Sequence, residues 1–383
     1  MISPPWDVVR GAGAPVAVVD LDAFDANADA LESAAGGVPL RVASKSVRVP
    51  ELIRRVLARP GWQGVLAYSV AEAIMLARNG IDDVVVAYPS VDRAAIAEVA
   101  GSPSLAAAVT FMVDLPEHLR LLDELAAGTP LRVCLDIDCS LRIGRLRVGA
   151  HRSSLGTPAA SSALARLASG MPGVRVIGLM FYEAQVAGVP DDHQAGVRAM
   201  KRASLRQLRR DRARHTAAVG EHARLEFVNG GGTGSLAQTR LDPVVTELAA
   251  GSGLFKPASF DGFDDSGLVP AAWFASPVVR KPRPDVAVTF SGGYAASGAA
   301  GASRSPSPVF PSGLRYFGSE GAGEVQTPLR GEAARSLEVG DLVWFRHTKA
   351  GEMCERFDTV TLVSAGEVVG SAKTYRGEGH NFG

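Results

Sequence analysis

The feature that most restricts what this chain can become is a repeated alternation between about residues 40 and 250. Apolar runs end near Lys45, Ser69 (GVLAYS), Tyr88 (DVVVAY), Val113 (AAAVTFMV), Asp138 (LRVCLDID), Glu183 (VRVIGLMFYE), Asn229 (LEFVN) and Ala250 (VTELAA). Most are continuously hydrophobic, as strands buried on both faces must be. Most gaps carry a helical pattern instead, as in ELIRRVLAR, VAEAIMLARNG, RAAIAEVA and EHLRLLDELAAG. Repeated β-α units of this number predict a (β/α)8 TIM barrel, with a doubly wound open sheet as the alternative. The barrel is favoured because polar and glycine residues gather at the carboxyl ends of the strands: Lys45, Tyr68, Tyr88, Asp138, Tyr182, Glu183, GGGTGS after Asn229 and GSG after Ala250. That rim is where such barrels do their chemistry.

A further strand pattern at 16–22 (VAVVDLD) stands outside that count. Beyond residue 261 the texture changes. Gly, Pro and Ser crowd residues 257–313, and short period-two runs follow: DVAVTF, DLVWFR and TVTLVSAGEVVGSAKTY, the last folded at SAGEVV into a hairpin. The expected organisation is a barrel over residues 14–260 and a β-rich carboxyl-terminal domain over 261–383, which residues 1–13 join. Residues 291–308 read either as a mobile loop or as a lid over substrate.

Charge narrows the partners. Lys+Arg and Asp+Glu balance at 40 each, so no field favours nucleic acid or an anionic membrane, and a small-molecule partner is expected. Cys134, Cys139 and Cys354 are odd in number and without paired spacing, which points to a reducing compartment. The opening MISPPWDVVRGAG lacks a signal pattern, and no apolar run reaches about 18 residues. A cytoplasmic protein is the expectation.

Lys45 ends the first barrel strand. A lysine there has its stem in apolar surroundings, where desolvation leaves free amine for a Schiff base; the competing reading is a lysine that snorkels to water. Residues 228–236 (VNGGGTGSL) follow a strand, and their backbone N–H groups, with the hydroxyls of Thr233 and Ser235, can cradle a phosphate. A structural turn is the alternative. Gly251-Ser252-Gly253 repeats the pattern at the next strand end, beside Gly232 and Thr233. Neither loop has the lysine of a P-loop. Of the arginines in SLRIGRLRVG, Arg142 is the one expected to face an anionic oxygen. Tyr182 can stack or hydrogen-bond, or simply pack. In FRHTKAGEMCERF, His347 with Glu352 or Cys354 can bind zinc or manganese, although the spacing matches no standard site and a surface hairpin explains it equally.

The pieces PVAVVDLDAFDAN, RVASKSVRVPEL, SLRIGRLRVG, GLMFYEAQVAG, NGGGTGSL, TELAAGSGLF and HTKAGEMCERF run in an order that resembles the fold-type III pyridoxal-phosphate enzymes. More narrowly, they resemble the D-threonine aldolase and D-serine dehydratase group of the alanine-racemase-like superfamily. The resemblance implies pyridoxal 5'-phosphate bound covalently at Lys45, with Arg142 on the ring O3, Tyr182 near the ring, and Thr233, Gly251 and Ser252 on the phosphate. It implies retro-aldol cleavage of a D-β-hydroxy-α-amino acid by a homodimer. Racemisation or epimerisation, dehydration of a D-hydroxyamino acid, and non-catalytic cofactor binding are the alternatives. Three departures stand out. The group's metal-binding His-x-Asp or His-x-Cys pair is His347-Thr348-Lys349 here, so either Glu352 or Cys354 serves with His347 or this member has no metal. Ala249 lies near where the racemases place an arginine, and only Tyr294 offers itself as the racemase tyrosine.

Overall fold

The structure is a computed structural model and describes residues 13–263 and 267–382. Residues 1–12 of the expected amino-terminal extension lie outside the described residues. The chain divides into two compact units.

The first unit, built mainly from Leu31–Ser44 and Arg55–Ala250, contains the barrel. Strand β1 (Val16–Asp20) is not part of it, in keeping with its place outside the alternation. The barrel strands begin with β2 (Leu40–Ala43), β3 (Trp62–Ala67), β4 (Val84–Val86), β5 (Val109–Val113) and β6 (Leu131–Asp136). A small antiparallel hairpin follows, β7 (Leu141–Ile143) with β8 (Leu146–Val148). Strands β9 (Val174–Phe181), β10 (Phe227–Gly230) and β11 (Glu247–Ala250) complete the ring. The closed order is β10-β11-β2-β3-β4-β5-β6-β9, and each described neighbour pair is parallel. All eight runs read from sequence as strands are therefore barrel strands.

The continuous apolar runs are buried, as Val84, Val85 and Val86 illustrate at 1% exposure or less. Val85, Met112, Cys134, Ile177, Met180 and Phe227 pack into one cluster. Gly178 belongs there because a Cβ would lie 2.3 Å from the Phe227 ring. Side-chain caps start several of the helices: Ser69, Asp92 and Thr157 accept from the backbone N–H groups of Glu72, Ala95 and Ala160. One arginine, Arg41, is buried and gives bidentate bonds to both Glu247 (2.9 and 2.8 Å) and Asp83 (2.9 Å each). Those two carboxylates hold its charge where a lone guanidinium could not remain.

The second unit comprises the chain through Ala30, Lys45–Arg54 and Gly251–Asn381. A boundary at 260 follows chain order, whereas packing assigns the Lys45 turn and the GSG loop to this unit. Its strands are β12 (Ala272–Arg283), β13 (Val286–Phe290), β14 (Ser307–Phe310), β15 (Arg315–Tyr316), β16 (Gln326–Arg330), β17 (Leu342–Arg346), β18 (Thr359–Ser364) and β19 (Glu367–Lys373). They form a sheet of order β15-β16-β13-β12-β1-β18-β19, with β17 bridging β12 and β14. Val16, Val18, Trp273, Ala275, Trp344 and Val363 make a core cluster of this unit. The β18–β19 hairpin turns on Ala365 and Gly366, both at positive φ, which matches the right-handed twist of its strands. Residues 291–308 are fastened rather than loose. The Ala296 N–H donates to Arg304 O (2.8 Å), and Thr348 Oγ1 donates to Ser305 O (2.8 Å).

Candidate active site

Three neighbouring barrel strands, β10, β11 and β2, end in the residues singled out from sequence. Because the strands are parallel, their carboxyl ends lie side by side. β10 runs into Gly231, Gly232 and Thr233, β11 into Gly251, Ser252 and Gly253, and β2 into a single 3-10 turn, Ser44–Ser46, that carries Lys45.

Lys45 is exposed, between buried Ser44 and Ser46. Of the two readings, its exposure agrees with the lysine that reaches water: β2 stops at Ala43, and Lys45 sits on the turn that follows. The turn itself is well anchored. Ser44 Oγ donates to Leu66 O (3.1 Å), Arg48 Nε donates to Lys45 O (3.0 Å), and Arg48 pairs with Glu355 at 2.6 Å. Ser46 Oγ lies 3.1 Å from Ser252 Oγ, so the Lys45 turn and the second glycine loop share a hydrogen bond.

The first glycine loop is organised by Glu183, a fully buried carboxylate that sequence reasoning treated only as a strand end. It accepts from Arg212 Nη2 (2.8 Å), Ser235 Oγ (3.0 Å), Thr239 Oγ1 and the Gly231 N–H (3.2 Å). Gly231 has φ +81°, and Gly232 has no room for a side chain, since a Cβ would sit 2.9 Å from Ala187 Cβ and 3.3 Å from the Tyr182 ring. The Gly232 N–H donates to Ser235 Oγ (3.1 Å). With Glu183 matched by Arg212, the loop presents no unmatched negative charge from that carboxylate. Hydroxyls of Thr233 and Ser252, glycine backbone and one lysine amine suit an aldehyde that carries a dianionic phosphate.

Arg142 lies on β7, half-buried, while Arg145 and Arg147 are exposed. Its guanidinium donates to Asp138 Oδ2 (3.0 Å) and to Gly156 O, and Gln207 Oε1 accepts from its backbone N–H (3.0 Å). Asp138 also pairs with Arg147. Tyr182, one residue beyond β9, is 41% exposed and lies along the Gly232 loop. Nearby in the chain, burial and then the charges of Asp114 and Asp138 push the Asp136 carboxyl up to about 7, with Arg152 opposing. Nothing in the sequence marks Asp136, because its burial and the Asp114 charge beside it both depend on the folded chain.

The structure does not gather His347, Glu352 and Cys354 into one three-ligand set. Among the described residues, no three His, Cys, Asp or Glu side chains gather where a metal ion could be bound. His347 is buried, edge-on to Phe255 with ring centroids 6.1 Å apart, and neither ring nitrogen has a partner of ordinary hydrogen-bond geometry. Burial and then Arg346 push its imidazole down to about 3, the Ala272 backbone opposing. Glu352 is already engaged, accepting from the Ser297 N–H (2.8 Å) and Ser297 Oγ (2.5 Å). Burial pushes the Cys354 thiol up to about 12. No site with all three of these side chains as ligands is formed. Tyr294 is likewise committed: its hydroxyl donates to Ser291 Oγ (3.0 Å), and its ring packs on Phe274 and Phe357.

The closed parallel barrel with glycine loops and a lysine at adjacent strand ends defines a class. Residues 19–256 match the family described as alanine racemase, N-terminal domain, and the chain belongs to that family, within the fold-type III pyridoxal-phosphate superfamily. Among particular relatives, D-threonine aldolase of Arthrobacter sp is 28% identical over 296 residues, 75% of this chain and 74% of that protein. The 3-hydroxy-D-aspartate aldolase of Paracoccus denitrificans is 30% identical over 259 residues, 66% of this chain and 62% of that one. A solved D-threonine aldolase from Filomicrobium marinum superposes with TM-score 0.79 at 23% identity, over 97% of this chain and 98% of that one. The D-threo-3-hydroxyaspartate dehydratase from Delftia sp. HT23 gives 0.74 at 18% identity, over 96% and 99%. One further structure of a D-threo-3-hydroxyaspartate dehydratase is described as being in the metal-free form. The family and the fold thus agree with the resemblance drawn from the motifs. No helix among the described residues is long and apolar enough to cross a membrane.

Proposed function

We propose that this chain is a pyridoxal-phosphate-dependent lyase that cleaves a D-β-hydroxy-α-amino acid into glycine and a carbonyl compound. The observation that carries it is the run of three adjacent strand ends bearing, in order, Gly232-Thr233, Gly251-Ser252-Gly253 and Lys45. Relatives named as aldolases of D-threonine and 3-hydroxy-D-aspartate support the choice of bond.

Bound pyridoxal phosphate supplies an electron sink for the pair left on the α-carbon when one of its bonds breaks. Lys45 Nζ would hold the cofactor by its aldehyde and, when not so engaged, would serve as a base for a substrate proton. Thr233 and Ser252 hydroxyls, with the backbone of Gly232, Gly251 and Gly253, bind the phosphate. Arg142, kept in orientation by Asp138 and Gly156, would serve the ring oxygen, and Tyr182 would serve the ring. The same reading makes the protein a cytoplasmic homodimer. Its three cysteines are buried and free, which suits a reducing compartment, and the family resemblance implies the dimer.

The test is product analysis of the chain loaded with pyridoxal phosphate and given D- and L-isomers of threonine and 3-hydroxyaspartate. Glycine with aldehyde from the D-isomers alone is expected. Ammonia with a keto acid, or the opposite enantiomer without cleavage, would replace the lyase by a dehydratase or a racemase.

A further inference from the structure

We infer that the turn at residues 345–357 binds no divalent metal and that the Lys349 ammonium, fixed by Ser297 and Glu352, supplies the positive charge there. The charge role rests on the lyase reading; the metal statement stands apart from it.

The argument starts from the donors. Lys349, two residues beyond His347, has N–H donors and no lone pair to offer a cation while protonated. Its Nζ donates to Ser297 Oγ at 2.8 Å and lies 3.7 Å from Glu352 Oε1. Ser297 Oγ in turn donates to Glu352 Oε1 (2.5 Å), and its N–H donates to Oε2 (2.8 Å). Each oxygen of Glu352 thus accepts from Ser297, and a divalent cation bound there would sit beside the fixed Lys349 ammonium. Thr348 Oγ1 donates to Ser305 O.

The turn has little freedom to rearrange into a ligand set. The carbonyls of His347 and Thr348 accept from the Ala258 and Ser259 N–H groups at 3.0 and 3.2 Å. Gly351 lies directly on the Lys45 turn, where a Cβ would be 2.1 Å from Lys45 O and 2.9 Å from Ser46 C. Lys349 is two residues along the chain from Gly351, whose backbone packs on the Lys45 turn. Its side chain is 44% exposed, and a lysine ammonium has three donors, so a substrate oxygen can be met while Ser297 stays bound. A fixed ammonium stabilises developing negative charge on such an oxygen, as a metal ion would, with one unit of charge instead of two.

The experiment uses the full chain, expressed with manganese and zinc in the medium, desalted and loaded with pyridoxal phosphate. Metal content by plasma mass spectrometry and calorimetric titration with Mn²⁺ and Zn²⁺ need no turnover, so they report even if the substrate assignment fails. Far less than one ion per chain and no saturable binding are expected. Near-stoichiometric metal that His347→Ala or Glu352→Ala removes would overturn the inference. In the cleavage assay Lys349→Met is expected to lower kcat by about 10²-fold, the scale of losing one charge-stabilising donor, with the cofactor absorbance kept. Lys349→Arg should recover part of that loss, and unchanged kcat in Lys349→Met would overturn the charge role.

Discussion

Glu183 and His347 are both buried polar side chains, yet they live by opposite rules. Glu183 has a guanidinium, two hydroxyls and a backbone N–H around its carboxylate. His347 has a phenylalanine ring beside it and no partner of ordinary hydrogen-bond geometry at either nitrogen. Burying a charge is costly unless paired and hydrogen-bonded, so the barrel keeps Glu183 only by building a loop around it. That loop is the one carrying Gly232 and Thr233. The histidine avoids the cost of a buried charge by staying neutral, its imidazole pushed down to about 3 by burial.

If this contrast is right, the largest effect comes from Glu183→Ala, which removes the nearer of the two carboxylates buried with Arg212 and leaves it Asp242 at 3.4 Å. A loss of about 2–3 kcal/mol is expected in urea unfolding, because Arg212 keeps a partner for its charge while several buried donors lose theirs. Weaker pyridoxal phosphate binding should accompany it. His347→Phe sharpens the other side: with no ordinary hydrogen bond to lose, the change should stay under about 1.5 kcal/mol. A fall comparable to that of Glu183→Ala would mean the imidazole has a role the contrast denies.

Asp136 lies between the two cases and should show the smallest effect at neutral pH. Its folded value, raised from 3.8 to about 7, means the folded chain binds this proton more tightly than the unfolded chain. The stability it contributes is complete below 3.8 and is lost as pH climbs through 7. Asp136→Asn should therefore flatten the decline of stability across that window, and the variant should be the more stable one at pH 8. A wild-type profile with no such decline between pH 4 and 8 would remove the raised value.

How far the sequence carries depends on how local each cause is. The eight barrel strands were legible because each run is apolar by itself, and burial on both faces needs nothing else. β1 was legible as a strand outside that count, although its partners, β12 and β18, are more than 200 residues away. Lys45 was legible as lying at the end of the first barrel strand, and its exposure agrees with the snorkelling alternative; what the sequence hid was the 3-10 turn Ser44–Ser46 behind an apolar-looking run. The Glu183–Arg212 pair was missed since Arg212 arrives from the helix Ala195–Gly220, with no pattern to announce which of its many arginines turns inward. The arrangement of the metal candidates was hidden for a similar reason. His347, Glu352 and Cys354 are close in sequence but are not gathered into one set, and Glu352 accepts from Ser297, which comes from another stretch of chain.

The measurement that bears most directly on the account is borohydride reduction of the chain loaded with pyridoxal phosphate, followed by peptide mass mapping. A pyridoxyl group on the peptide containing Lys45, absent from Lys45→Ala, is the predicted result. A pyridoxyl group on any other lysine, or none at all in the wild-type chain, would contradict the assignment from which the proposed chemistry follows.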